Sequence, residues 1–500
     1  MTVLSNPNLP AVDPTRTPLP RGGRRPLTLA LVIAVLAAAL RFFDLGMWPY
    51  SGDETASLYE ERSLFHGVSI PPDSQTYRLP RLIPASYLAF HISHELFGRN
   101  EWGTRVVIAS LGVLSVMLVY WLLSGPFPPI VATVSAMLVA LLPQHVLHSQ
   151  ETRFYMVAAF FAFATLLLGS RALSTRSTLY AVLAVVAAFL AVLAHTLLVL
   201  LLPLLMLAVG AATFGKGGAV PRATWIVFAA GMAAMVLVLV FYMRPLLGGW
   251  NEQVTWGYSV SHAVLASVVM LGWPLTLLTV VGLALLLQER TAQGYYWAVC
   301  CLGWLGATLV LPLLVPYHTE YVFPLVLGAI VAAAYAISVV NQLLRTRAAV
   351  AAVAWLGLSC LANLPALASY YVDGSRWNLK TAAAYVRSNW LPGDRVAGDA
   401  MGLFHQYAAH CCEPLIAVAP GSQGQLAHLV AGRGRLWIVL ENTRAGLEPH
   451  LQRWLFDCAV HKLSVGGRRF DDAQFSVEVY LAVPPANSTC TGSSAAERLR

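Results

Sequence analysis

Hydrophobic positions in this chain fall into long, nearly unbroken runs, and polar positions gather in the short gaps between them. An apolar run of roughly 17–25 residues, wound as a helix, matches the hydrocarbon core of a bilayer. About eleven such runs are read. The first covers 26–43, and the others begin near Trp102, Pro128, Phe154, Leu179, Thr196, Thr224, His262, Tyr295, Tyr321 and Ala348. After about Tyr370 the pattern changes. Segments 435–440 and 475–481 alternate with the period of strands, and 378–390 has the period of a helix before the turn Pro392-Gly393-Asp394. The expected architecture is an α-helical polytopic membrane protein with a C-terminal soluble α/β domain. Its parts are a basic tail at 1–25, a membrane domain at 26–369, the soluble domain at 370–490 and a tail at 491–500.

Composition sharpens this reading. The chain is 57% hydrophobic and 11% charged, with a mean hydropathy of +0.64. Soluble domains carry about 25% charged residues, so the surplus apolar surface must face lipid. The formal net charge of +8 does not form one basic patch, and no nucleic-acid partner is expected. The basic residues sit in the gaps and read as topology signals. With Arg21, Arg24 and Arg25 cytoplasmic, the Arg171/Arg176, Lys216/Arg222, Arg290 and Arg345/Arg347 gaps also fall inside. Segments 145–152, 243–261 and 316–320 then fall outside, as does the C-terminal domain. Cys411, Cys412, Cys458 and Cys490 lie in that domain and suit an oxidising exterior as staples, with pairing undetermined. The sequon at Asn487 matters only in a host that glycosylates Asn.

Two gaps carry unusual chemistry. Between the first run and Trp102, the sequence Trp48-Pro49-Tyr50-Ser51-Gly52-Asp53-Glu54 delivers two adjacent carboxylates to the start of a helix, and Tyr59 follows. Acids in a first helical turn are stabilised by the helix dipole, so Asp53 is either a cap or a functional group. The rest of this gap, 79–97, reads as an interfacial amphipathic helix with His91, His94 and Glu95 interspersed. The second gap reads His145-Val146-Leu147-His148-Ser149-Gln150-Glu151-Thr152-Arg153-Phe154-Tyr155. Arg153 and Tyr155 suit an interface anchor, but so many titratable groups beside hydrocarbon point to function. His195, Arg244 and the segment containing His318 and Glu320 are further candidates. No HExxH, Gly-rich phosphate loop or GxSxG occurs.

In this order the motifs resemble the C-type-fold membrane glycosyltransferases that use polyprenyl-phosphate-linked sugars. That family includes protein O-mannosyltransferases and bacterial aminoarabinose transferases of lipid A. The resemblance rests on Gly52-Asp53-Glu54 with Tyr59, on Leu96-Phe97-Gly98 leading to Arg105, on Ser149-Gln150-Glu151-Thr152-Arg153-Phe154-Tyr155, and on Trp377 to Asp394. It departs in two places. Glu320-Tyr321 stands before Pro324 where many members carry Arg-Tyr, and Arg78-Leu79-Pro80-Arg81 replaces a Lys-Pro-Pro-Leu segment. The resemblance implies Asp53 as the base that takes the acceptor proton, with inversion at the sugar carbon. Glu54 and Glu151 would orient the acceptor or hold a divalent cation, for which oxygen ligands suit Mg²⁺ or Mn²⁺. Arg153, Tyr155, Tyr59, Arg78, Arg81, Arg244 and His318 are the candidate contacts to substrate and lipid phosphate. The expected partners are a polyprenyl-phosphate sugar and an acceptor glycan, lipid or protein. The expected setting is a bacterial inner membrane with the N-terminus cytoplasmic. A transporter or a non-catalytic envelope-assembly component is the alternative.

Overall fold

The computed structural model describes residues 25–67, 83–238, 240–241, 259–314, 319–343, 348–373, 377–399, 401–408, 412, 415–418, 423–430, 434–442, 449–468 and 474–483. Helices α1 (Arg25–Phe42), α2 (Gly52–His66), α3 (Pro84–Phe97) and α4 (Glu101–Leu123) open the chain. Next come α5 (Pro129–Leu141), α6 (Pro143–Ser149), α7 (Phe154–Thr175) and α8 (Thr178–Ala194). A 3₁₀ turn at Thr196–Leu200 leads to α9 (Leu201–Ala212) and α10 (Arg222–Val238). The later membrane helices are α11 (Val260–Leu271), α12 (Trp273–Glu289), α13 (Ala292–Leu314), α14 (Leu327–Leu343) and α15 (Ala348–Asp373). Large apolar side chains such as Leu114, Trp121, Leu179, Leu207 and Leu313 project outward from these helices, exposed. Facing water they would be a liability; facing lipid tails they are matched.

Four helices are long and apolar enough to cross a membrane: Glu101–Leu123, Phe154–Thr175, Ala292–Leu314 and Phe323–Gln342. Two bent pairs raise the number to six if each pair is one span, and four further apolar helices have only 10–17 residues. The expected count of eleven full spans is therefore not reproduced among the described residues. Seventeen residues of helix reach about 26 Å, the lower edge of what spans a core about 30 Å thick. The bends have local causes. Pro143 has no N–H to continue the ladder from α5, and Leu142 before it is extended (φ −68°, ψ 118°), giving a 61° break into α6. Gly272 adopts φ +78° between α11 and α12, which meet at 99°; that conformation suits glycine. At one end of the bundle, Lys216 bridges to Thr291, so two of the basic gaps lie side by side.

The C-terminal domain begins with α16 (Leu379–Ser388), capped by the Asn378 side chain. Its sheet comprises β1 (Arg395–Gly398), β2 (Leu415–Ala417), β3 (Leu436–Asn442), β4 (Val460–Arg468) and β5 (Gln474–Ala482) in the order β2-β1-β3-β5-β4. Strand β1 runs parallel to β2 and β3, while β5 is antiparallel to both β3 and β4. Alternation along β3 explains the layers. Trp437 and Val439 meet α16 and α17 (Met401–Ala408) on one face, and Leu436, Ile438 and Leu440 meet α18 (Gln423–Val430) and α19 (Pro449–Cys458) on the other. Cys412 and Cys458 each take part in a disulfide, and Cys411 and Cys490 lie outside the described residues. The first of these faces also packs Tyr50 and Leu58, so the domain rests on α2 and the turn before it. The Tyr50 amide donates to the Tyr407 hydroxyl at 2.7 Å, and Lys380 pairs with Glu101 at 3.1 Å.

Candidate active site

The site grows from the start of α2. Ser51 is the N-cap: its hydroxyl accepts from the Glu54 amide at 3.2 Å, and the Glu54 carboxylate accepts from the Ser51 amide at 3.0 Å. This reciprocal box satisfies two of the orphaned amides of a helix start. Capping therefore falls to Ser51 and Glu54, and the Asp53 carboxylate is left exposed, with 72% of its side-chain surface open.

Glu54 points inward and is completely buried. Arg105 of α4 meets it with Nε at 3.0 Å and Nη2 at 2.9 Å. The same guanidinium donates to the carbonyls of Leu45, Trp48 and Pro49, so all its nitrogens are engaged. The Thr152 amide adds a 2.8 Å bond to Glu54 Oε1. One carboxylate thus ties α2, the turn before it, α4 and the segment before α7. Each of its oxygens already accepts two donors, which does not fit Glu54 as a metal ligand.

The Thr152 contact brings the second candidate segment to Asp53. Arg153 lies with Nη2 3.3 Å from Asp53 Oδ2, and its Nη1 donates to the Asp53 carbonyl at 3.0 Å and the Ser57 hydroxyl at 3.1 Å. The guanidinium also covers the Phe154 ring, 4.6 Å from its centroid. Burial works against its charge, but Asp53, Tyr155, Glu320 and Glu151 together hold its pKa above the ordinary value. Glu151 is buried, with Oε2 3.3 Å from His148 Nδ1. Tyr155 is buried against His148 and His195. The segment is held from behind. Gln150 donates to the carbonyls of Leu40, Arg41 and Phe43 and accepts from the Tyr370 hydroxyl at 2.6 Å, while buried Arg41 meets His145 Nδ1 at 2.8 Å.

The structure therefore brings Asp53, Glu54, Arg153 and Tyr155 into one locality, with Glu151 beside Arg153 electrostatically. Tyr59 is not brought with them. Six residues beyond Asp53 on α2 it points about 240° around the helix, and it is exposed. Arg78, Arg81, Arg244 and His318 lie outside the described residues. Sequence reasoning missed the structural roles of Arg105, Arg41 and Gln150. The signal available was charge at the ends of apolar runs, which is expensive unless paired. It also missed Glu441, which the C-terminal domain holds near Asp53. Burial pushes the Glu441 carboxyl up to about 8, and the charges of Asp399 and Asp53 push the same way.

Among the described residues, the one group of three or more His, Cys, Asp or Glu placed to hold an ion is Glu61, His66, His91 and His94. Glu54 and Glu151, the expected ligands for Mg²⁺ or Mn²⁺, do not belong to it.

No protein-family model matches the chain, and no curated protein matches it. Solved structures share its fold. ArnT from Cupriavidus metallidurans, in the apo state, superimposes with a TM-score of 0.53 at 14% identity over 91% of this chain and 98% of that one. ArnT bound to undecaprenyl phosphate gives the same score and identity, covering 91% of this chain and 97% of that one. The archaeal oligosaccharyltransferase AglB from Archaeoglobus fulgidus, in complex with an inhibitory peptide and a dolichol-phosphate, has a TM-score of 0.51 at 14% identity, covering 83% of this chain and 69% of that one. The chain thus shares the fold of ArnT and AglB, the C-type fold that the motif order implied.

Proposed function

We propose that the protein transfers a sugar from a polyprenyl-phosphate donor to an acceptor hydroxyl, at the outer face of a bacterial cytoplasmic membrane. The observation that carries this reading is the open Asp53 carboxylate set beside Arg153 at 3.3 Å. An acid that is exposed yet fixed in place by its neighbours suits a proton acceptor. The lipid phosphates held by the ArnT and AglB structures support the donor class.

In this reading Asp53 takes the acceptor's hydroxyl proton as that oxygen attacks the anomeric carbon. The bond from that carbon to the phosphate oxygen breaks, the electron pair leaves with the lipid phosphate, and the sugar carbon inverts. A base of this kind contributes roughly 10²–10⁴-fold. Arg153 supplies positive charge where negative charge gathers on the leaving oxygen. Glu54 serves as the strut that fixes Asp53, and Glu151 with His148 lines the same wall. Arg78, Arg81, Arg244 and His318 are further candidates to meet the phosphate, and Tyr155 to meet the substrate. With the N-terminus cytoplasmic, the C-terminal domain shares the outer compartment with Asp53. A donor carried by a membrane lipid suits that face, where nucleotide sugars are not supplied.

The test uses membranes given a labelled polyprenyl-phosphate sugar and the membrane's own acceptors. Asp53→Asn is expected to lower transfer about 10²–10⁴-fold while the protein remains in the membrane at wild-type abundance. Undiminished transfer by Asp53→Asn removes Asp53 as the base. No transfer by the wild type from any polyprenyl-phosphate sugar removes the reading itself.

A further inference from the structure

Helix α2 carries a second cluster, well separated along the helix from Asp53. Glu61, eight residues on and so about 12 Å along the axis, is fully buried where α2 packs on α3. Its Oε1 lies 2.7 Å from His91 Nδ1, and its Oε2 lies 3.3 Å from His94 Nδ1. Buried Oε2 accepts no hydrogen bond from the described residues. His66, the last residue of α2, brings a third imidazole, its ring 5.4 Å from that of His91 and 6.1 Å from that of His94. One ligand atom from each of these four residues lies within 4.8 Å of all the others.

We propose that Glu61, His66, His91 and His94 form a zinc-class metal site that staples α2 to α3. Ion pairing alone accounts poorly for the cluster. Glu61 is the one buried carboxylate among the three imidazoles, with half-exposed Glu95 at 3.6 Å from His66 and 3.0 Å from His94, and protonating all three would set like charges side by side. A divalent cation resolves this, because the imidazoles bind it neutral and the carboxylate keeps its charge. The spacing is suitable. His91 and His94 stand three apart on one face of α3, while Glu61 and His66 come from the last turns of α2. Tetrahedral zinc with ligand bonds of about 2.0–2.1 Å holds its donors roughly 3.4 Å apart. The set must therefore contract by an ångström or so, and His66, 36% exposed at the helix end, has the room to do it.

The surroundings suit ligation too. His94 turns Nδ1 toward Glu61 and Nε2 to Glu95 Oε1 at 3.0 Å, and Arg99 holds that same oxygen at 3.1 Å. A carboxylate that accepts from the far nitrogen of a ligating histidine fixes its tautomer and orientation. Three imidazoles and one carboxylate suit zinc-like ions better than Mg²⁺. Four protein ligands leave no open position, which marks a structural centre and not a catalytic one. The ion would hold α2, and with it the helix that presents Asp53, without touching the reacting atoms.

The test uses the full chain in detergent, purified without a polyhistidine tag, stripped with chelator and dialysed against Zn²⁺. Elemental analysis is expected to find about one zinc per chain. His66→Ala, a change at an exposed helix end, should lower zinc affinity at least tenfold, and His91→Ala with His94→Ala should abolish uptake. Glu95→Gln should weaken binding by roughly 10–100-fold. Cobalt(II) should give a tetrahedral visible spectrum in the wild type that His66→Ala loses. Asp53→Asn should bind zinc as the wild type does, whatever the fate of sugar transfer, so failure here is separable from failure of the glycosyl-transfer reading. A wild-type protein that takes up no stoichiometric zinc overturns the proposal, as does uptake unchanged in both histidine variants.

Discussion

Asp53 and Glu54 are neighbours of the same chemistry, and the fold assigns them opposite tasks. The first carboxylate faces solvent and Arg153, and the second is sunk onto Arg105. Removing one member of a buried ion pair strands the other, at a cost of about 3–5 kcal/mol. Glu54→Gln should therefore lower the melting temperature and membrane abundance sharply, whereas Asp53→Asn, at an exposed position, should leave both nearly unchanged. Thermal unfolding of the two variants in detergent checks this, and equal melting temperatures would place Glu54 outside the frame. The sequence showed the acidic pair, but not its division of labour, because Arg105 lies 51 residues away along the chain. A second buried basic residue, Arg41, is held through its two Nη atoms by the α5 carbonyls of Ala140 and Val139, while its Nε has no hydrogen-bond partner among the described residues.

At the scale of elements, hydropathy located most helix starts. Runs read as beginning near Phe154 and Ala348 begin there in α7 and α15. What hydropathy could not supply was where an apolar run bends, since one side chain too few or one missing N–H leaves the mean unchanged. Gly272 is the clearest case. A Cβ there would meet Asn363 Oδ1 at 3.2 Å, and the backbone sits at φ +78°. Gly272→Ala should destabilise the α11–α12 corner by about 1–3 kcal/mol, read as a lower melting temperature; an unchanged one would show that the corner relaxes freely. The soluble domain has a comparable pin. Burial alone would raise the Asp394 pKa, but bonds from Arg435, the Leu391 amide and Trp437 outweigh it and hold the carboxyl below its usual range. Such a depressed carboxylate contributes stability above its unfolded pKa and loses it as pH falls through the folded value. The turn residues Pro392 and Gly393 were legible in sequence. The partners of Asp394, 41 and 43 residues on, were not.

Considered whole, the molecule packs its C-terminal domain against α2 and the turn before it, so that the candidate site has a roof. Tyr50 joins the domain's core, Lys380 reaches Glu101, and Glu441 comes near Asp53. This juxtaposition had no sequence signal, because Glu441 sits in a strand that alternates like any other. It has a pH consequence whose sign is fixed. The Glu441 carboxyl is raised from 4.5 to about 8, by burial first and by Asp399 and Asp53 after it. Between those values the folded protein holds a proton that the unfolded chain has released, so stability falls as pH rises through that window. One such proton changes stability by up to ~1.4 kcal/mol per pH unit. Glu441→Gln removes the ionisation and should flatten the melting profile from about pH 4.5 to about pH 8, leaving the pH dependence that remains to groups such as Asp394. If the two profiles run parallel across that range, Glu441 is charged at neutral pH, and the roof does not desolvate it over Asp53.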